Sequence, residues 1–293
     1  MELRVLRYYL AVAREESISR AAESLHITQP TLSRQLMDLE SELGTRLFIR
    51  SRRDKSIRLT EAGILLRSRA EEILTLADKT AAEFSDAADS VSGEIAIGAG
   101  ETDAVRLLAE AADRIHARHP GIRFHLFSGN AEAVTDRLDK GLIDYGVLVG
   151  SVDMAKYNSL SLPVMDTWGV LMRNDSELAS HDRITPELLR DRPLILSQQS
   201  LAHNEFSGWI GLETEKLKVV STYNLIYNAT LFVEAGIGCA VTIDKLVNTR
   251  GTELLFRPLS PKMESRLSLV WKKYHVFSPA AELFLRTLRE AIL

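Results

Sequence analysis

Residues 19–53 read SRAAESLHITQPTLSRQLMDLESELGTRLFIRSRR. Inside them, SLHITQPTLSRQL at residues 24–36 keeps a helical rhythm of apolar positions that breaks at His26 and Ile27 and restarts at once. Thr28 suits a helix N-cap, and Pro30 is tolerated in a first turn, where the amide it lacks would have no intrahelical partner. Leu32, Leu36, Leu39 and Leu43 then recur at helical spacing and form the expected buried stripe. Gln29, Thr31, Ser33, Arg34 and Gln35 crowd the other side of the first two turns. Arginine pairs bidentately with guanine and glutamine with adenine, so a protruding helix start carrying both suits base edges in a DNA major groove. A merely solvated helix face is the plainer alternative.

The flanks bear on that choice. Upstream, Leu6, Tyr9, Leu10 and Ala13 mark one buried helix face, and Ser19 offers an N-cap to a short helix whose Ala21, Ala22 and Leu25 are small, packable contacts. Downstream, Arg46, Arg50, Arg52, Arg53, Lys55 and Arg58 face only Asp54, with a turn-like centre between β-compatible pieces. A wing whose cations meet phosphates fits this run, directly after the candidate reading helix. The chain as a whole carries −4, but residues 1–60 hold 11 Arg or Lys and 8 Asp or Glu, a local +3. That asymmetry, not the total, is informative.

Residues 61–90, EAGILLRSRAEEILTLADKTAAEFSDAADS, contain no proline. Ala62, Leu66, Ala70, Ile73, Ala77, Thr80 and Phe84 follow a heptad-like spacing and predict a dimer contact, with an intrachain strut as the alternative. Beyond Ser90 to Gly93 the pattern changes. Short apolar runs (EIAIGA, FHLFSG, DYGVLVG, WGVLM, PLIL, KVVSTY, CAVTI, LSLVW) alternate with helical stretches such as AVRLLAEAADRIHARH, AEAVTDRLDKG and AELFLRTLREAIL. This is α/β organisation with mostly buried strands.

Composition fits a folded protein: 293 residues, 45% hydrophobic and 26% charged. The amino-terminal residues have Arg4, Arg7 and Arg14 in place of a signal-peptide apolar region, and no long uncharged apolar span follows, so a cytoplasmic protein with no membrane partner is expected. Cys239, the only cysteine, sits in the apolar run GIGCAV and reads as a core residue. An enzyme finds little support. GAGETDA lacks the third glycine of a dinucleotide loop, no P-loop lysine follows it, and no GxSxG elbow occurs. His116 and His119 lie near a helix end before Pro120, where a cation is ordinary, and no metal site is expected. A solute sensor without DNA activity is the second alternative, permitted by residues 91–293 alone.

The chain resembles the LysR-type transcriptional regulators over its full length. Ala21, Ala22, Leu25, Gln29, Pro30, Ser33, Leu39, Glu40, Leu43, Gly44, Leu47, Phe48, Arg50, Leu59, Thr60 and Gly63 all fall where the family's winged helix-turn-helix pattern puts them. The resemblance implies an α/β multidomain protein: a winged helix-turn-helix at residues 1–58, a long linker and dimerisation helix at 59–89, and a two-lobed effector-binding domain at 90–293. The first lobe would take about 91–161 with 267–293, and the second about 162–266. It implies DNA contacts by Gln29, Pro30, Thr31, Ser33, Arg34, Gln35, Arg50, Arg52 and Arg53, and dimer contacts through Ala62, Leu66, Ile73, Ala77 and Phe84. A homodimer or homotetramer would bind double-stranded DNA and a small-molecule effector, with no catalytic residues, no metal and no cofactor other than that co-inducer. By position, the effector would meet Gly100, Glu101, Thr102, Ser128, Gly129, Asn130, Val149 and Gly150 on one lobe and Ser197, Gln198, Gln199 and Asn224 on the other. The family often has a small hydroxyl residue near the first turn, where this chain places Glu101 beside Thr102. A carboxylate facing the cleft would disfavour a carboxylate ligand, whereas one facing solvent would not.

Overall fold

The computed structural model describes residues 1–50, 57–83, 91–150, 152–153, 155–202 and 205–292. The chain divides into two compact units, Met1–Asp86 and Ala87–Leu293.

The first unit comprises α1 (Leu3–Glu15), α2 (Ile18–Ser24), α3 (Gln29–Leu43), β1 (Phe48–Arg50), β2 (Ile57–Leu59) and α4 (Glu61–Glu83). One core joins them: Leu6, Tyr9 and Val12 from α1, Ala21 and Ala22 from α2, Leu32, Leu36 and Leu39 from α3, then Leu47, Phe48, Ile57, Ala70 and Leu74. The two alanines of α2 are fully or almost fully buried, and their size lets neighbouring helices close in. The Tyr9 hydroxyl donates to the Gly63 carbonyl at 2.6 Å, and burial pushes its phenol up to about 12.

Three sequence expectations need correcting in this unit. Ser17, not Ser19, caps α2: its backbone is extended and its hydroxyl accepts from the Arg20 amide at 3.4 Å. Leu43 leaves the buried stripe of α3 and is 40% exposed, because the helix ends there on Gly44, whose φ of +66° closes the cap. The seam on α4 also divides. Ala70 is fully buried in the unit's own core, and Ala62 and Leu66 lean on the same cluster, since α4 packs along α1. Ile64, Leu65, Ile73 and Leu76 stay exposed, Ala77 is half-buried, and Phe84 lies outside the described residues.

The second unit is α/β. In chain order it holds β3 (Gly93–Ala99), α5 (Val105–His116), β4 (Ile122–Ser128), α6 (Ala131–Asp139), β5 (Tyr145–Val149), β6 (Tyr157–Arg173), α7 (Pro186–Leu189) and β7 (Leu194–Ser197). There follow α8 (Gln198–Ala202), α9 (Glu205–Ile210), β8 (Val219–Tyr223), α10 (Ile226–Glu234), β9 (Cys239–Ile243), β10 (Leu254–Pro258), β11 (Glu264–Lys272) and α11 (Pro279–Ile292). The strands run in the order β4-β3-β5-β11-β6-β9-β7-β8, with β10 also paired to β6.

Parallel pairings at the two ends of this order, β3 with β4 and β5, and β7 with β8 and β9, define two lobes. The inner strands β3, β5, β7 and β9 are buried on both faces, as parallel strands covered by helices must be, while the edge strands β4 and β8 stay partly exposed. Ile95, Ile97, Leu108 and Phe284 pack on one side of the first sheet, and Val134, Leu138 and Ile143 on the other. The second lobe repeats this with Leu194, Leu196 and Phe206 on one side and Ile195, Ile226 and Val233 on the other. The antiparallel strands β6 and β11 join the lobes: β6 is 17 residues long, pairs with β11 through both Tyr157–Ser161 and Met165–Thr167, and continues into pairing with β9 and β10. The run WGVLM marks only the last part of β6, and the apolar runs and helical stretches read from the sequence do not include β10 or α10.

Candidate functional site

In the first unit the exposed start of α3 is built from below. With Leu32, Leu36 and Leu39 locked in the core, Gln29, Pro30, Thr31 and Arg34 are exposed, and Ser33 and Gln35 are half-buried beside them. Thr28 stands at the N-cap with extended backbone, but its hydroxyl pairs with the Thr31 hydroxyl at 2.8 Å and caps no amide. The turn into α3 places His26 at φ +54°, a left-handed conformation that lets the chain reverse after α2. Arg34 makes no ion pair among the described residues, so its guanidinium is available to a partner.

The β1–β2 ribbon is tied to the same helix. The Glu40 carboxylate on α3 accepts from the amides of Leu47 and Phe48 at 2.7 and 3.2 Å, fixing where β1 leaves it. Thr60 donates to the Arg46 carbonyl at 2.8 Å and accepts from the Gly63 amide at 3.0 Å, linking the ribbon to the start of α4. A side chain at position 63 would collide with the Leu47 carbonyl, so only glycine fits there. The strands pair Phe48 with Leu59 and Arg50 with Ile57. Arg50 therefore closes β1, while Arg52 and Arg53 lie outside the described residues.

In the second unit a cavity of about 590 Å³ opens between the lobes. Gly100, Glu101, Gly129, Asn130, Val149 and Gly150 line it from the first lobe, and Ser197, Gln199 and Asn224 from the second. Three expected residues stand elsewhere. Thr102 is buried behind the wall, where its hydroxyl donates to Asp166 at 3.0 Å; Ser128 is exposed and borders a separate shallow depression; and Gln198 is exposed at the start of α8. The strand and helix ends of the βα units converge here, as in open α/β sheets generally.

Sequence reasoning did not find Asp166, Trp168, Tyr157, Tyr223 and Thr242, which also line the cavity. Asp166 and Trp168 sit on β6, whose passage from lobe to lobe has no sequence signal of its own beyond a run of alternating residues. The Trp168 indole donates to the Ser265 hydroxyl at 2.8 Å, and the Tyr223 hydroxyl to the Val241 carbonyl at 2.7 Å.

Electrostatically the cavity is acidic. Burial pushes the Asp166 carboxyl up to about 6, with the Thr102 hydrogen bond and the Lys245 charge pulling the other way and Asp103 adding to the rise. Burial also raises Glu101, against the hydrogen bond it accepts from the Ile226 amide at the start of α10. That bond crosses the cleft, as do the Ala131 amide to Gln199 Oε1 at 3.3 Å and Lys245 Nζ to Asp103 Oδ2 at 3.4 Å. Asp103 is itself raised by burial, yet hydrogen bonds from Arg106 and Lys245 outweigh this and hold it below the usual range. Among the described residues no group of His, Cys, Asp and Glu is arranged to hold a metal ion.

Known proteins place both halves. Residues 3–64 match the bacterial regulatory helix-turn-helix family of the LysR type, and residues 88–292 match the LysR substrate binding domain. The chain belongs to the LysR family. Among LysR-type relatives, the Hca operon transcriptional activator HcaR of Escherichia coli is 27% identical over 300 residues, spanning 100% of this chain and 98% of its own. The regulator YnfL of the same organism is 27% identical over 289 residues, 97% of this chain and 96% of its own. The crystal structure of CbnR, a LysR family transcriptional regulator, has the same fold, with a TM-score of 0.75 at 19% identity over 100% of both chains. CbnR has also been determined with its target DNA. The curated relatives and the fold are those of regulators, not enzymes.

Proposed function

We propose that this LysR-type regulator reads DNA through the start of α3 and responds to a small molecule held between the lobes of its second unit. The observation that carries the first half is the start of α3 itself: exposed Gln29 and Arg34 on a helix whose opposite face is fixed in the core, followed directly by a basic ribbon. In this reading Gln29, Thr31, Ser33, Arg34 and Gln35 meet base edges, Pro30 sets the entry of the helix, and Arg50, Arg52 and Arg53 meet backbone phosphates or an adjacent minor groove. The protein works in the cytoplasm, consistent with a DNA target and with the absence, among the described residues, of any helix long and apolar enough to cross a membrane.

A dimer positions two such helices on half-sites about 34–36 Å apart, or multiples of that. Its contact is assigned to the outward face of α4, where Ile64, Leu65, Ile73 and Leu76 are exposed large hydrophobics on one helix. Ile73→Glu should lower the sedimentation coefficient toward that of a monomer; an unchanged value assigns this face to another role. The effector acts by binding one inter-lobe arrangement more tightly than another, the only way a ligand can shift such an equilibrium.

The deciding experiment selects bound fragments from sheared source DNA at near-physiological salt, with and without a metabolite extract. A few sites with a dyad are expected, and their occupancy should change with extract. Thr135→Trp, which fills the cavity from α6, should abolish the response to extract and leave extract-free DNA binding intact. No enrichment of any sequence would show that the first unit is not a sequence reader.

A further inference from the structure

We propose that the inter-lobe cavity takes a cationic, amine-bearing effector; this rests on the reading of that cavity as the effector site. Every charged side chain on its wall among the described residues is acidic: Glu101, Glu132, Asp153 and Asp166. Asp166 is the telling one. It is 5% exposed, its Oδ1 accepts from Thr102 at 3.0 Å, and its Oδ2 has no hydrogen-bond partner. A buried carboxylate oxygen left without a donor is costly in the empty protein, and an ammonium group brought against this wall supplies the opposite charge.

At three helix starts bordering this cleft, amides that could hold an anion are already occupied by the protein's own oxygens. At the start of α5 the Ala104 amide is held by the Thr102 hydroxyl at 3.1 Å. At the start of α6 the Ala131 and Ala133 amides are held by Gln199 at 3.3 Å and Asn130 at 2.9 Å. At the start of α10 the Ile226 amide is held by the Glu101 carboxylate. An incoming carboxylate would have to displace one of these and then lie near Glu101 and Asp166. Lys245, whose charge reaches Asp166, is engaged by Asp103 at 3.4 Å. Trp168 and Tyr223 share the wall with Asp166, and because their N–H and O–H groups are committed to Ser265 and Val241, what they offer a ligand is ring surface, which favours a cation.

The test uses the full-length protein and three matched pairs that differ in the sign of the head group: putrescine and succinate, phenethylamine and 3-phenylpropanoate, tryptamine and indole-3-propanoate. Thermal denaturation and titration calorimetry should show stabilisation by at least one amine and by none of the carboxylates. Asp166→Asn should weaken the binding amine about tenfold or more, the loss of a charged hydrogen-bond acceptor. The same variant should be more heat-stable than the parent at neutral pH, so that lost binding cannot be lost folding. Stabilisation by carboxylates with the amines silent overturns the proposal, as does amine binding undiminished in both Asp166→Asn and Glu101→Gln, or silence of all six probes. The Thr135→Trp plug separates the two levels. Carboxylate binding that the plug abolishes leaves the cavity as the effector site and removes only the cationic class; amine binding that survives the plug removes both.

Discussion

The start of α3 and the inter-lobe cavity are opposite solutions to the problem of presenting polar groups. On α3 the charged and amide side chains stand in solvent, where holding them costs little, and Arg34 has no ionic partner among the described residues. In the cavity the helix amides at the starts of α6 and α10 have been filled from within the chain, and an acceptor, Asp166 Oδ2, is left unfilled. The first surface is general to anything carrying phosphates and is made specific by shape and by a few side chains. The second is made specific by a deficit, and its empty state is the less stable for it.

That contrast can be attacked at several points. The largest effect is expected from Arg34→Ala, which should lose about 1–3 kcal/mol at a preferred site and relax base preference there. Titration against preferred and random duplexes checks it; equal weakening of both would reduce Arg34 to a phosphate contact. Asp166→Asn should act in the opposite sense on stability. A carboxyl raised to about 6 in the folded state, above an unfolded value of about 3.9, is a penalty that is absent at low pH and grows as pH rises from about 4 through about 6. Removing it should therefore stabilise the second unit by up to about 3 kcal/mol at pH 7 and by less than about 0.5 kcal/mol at pH 4. Denaturant melts at the two pH values distinguish this from a pH-independent packing gain. Ser17→Ala removes the cap of α2 and should cost about 1 kcal/mol, read as a lower midpoint for the first unit. The smallest change is expected at the turn: His26→Gly relieves a left-handed residue and should stabilise the first unit by about 0.5 kcal/mol, read as a raised denaturant midpoint.

Much of the first unit was legible because its signals are local. Pro30 after Thr28 marks a helix start, three of the four leucines fix its buried face, and Gly44 marks its end, all within one helix. Errors came where two local solutions compete. Ser17 and Ser19 are both capping residues, and only the extended backbone at Ser17 decides between them. The spacing of Ala62, Leu66 and Ala70 records that one face of α4 is buried, but a repeat cannot say against what; the answer is α1 of the same chain. In the second unit the strand-to-helix alternation was readable, and the family resemblance, carried over by position, pointed to Gly100, Glu101, Asn130 and Ser197, which line the cavity. Asp166 and Trp168 were not, because they belong to a strand that crosses between lobes, and their meeting with Thr102 and Ser265 depends on pairings 64 and 97 residues apart.

The β6–β11 ribbon that joins the lobes has a mechanical consequence. Two antiparallel strands bonded to each other resist sliding and stretching, since either would break a row of hydrogen bonds together, but they yield to torsion about their common axis. The pairing shifts register between Arg266 and Ser268, directly beside the Met165–Thr167 segment that carries Asp166. The ribbon is thus softest to twist next to its buried carboxylate, so a charge bound at Asp166 sits on the axle about which one lobe would turn against the other.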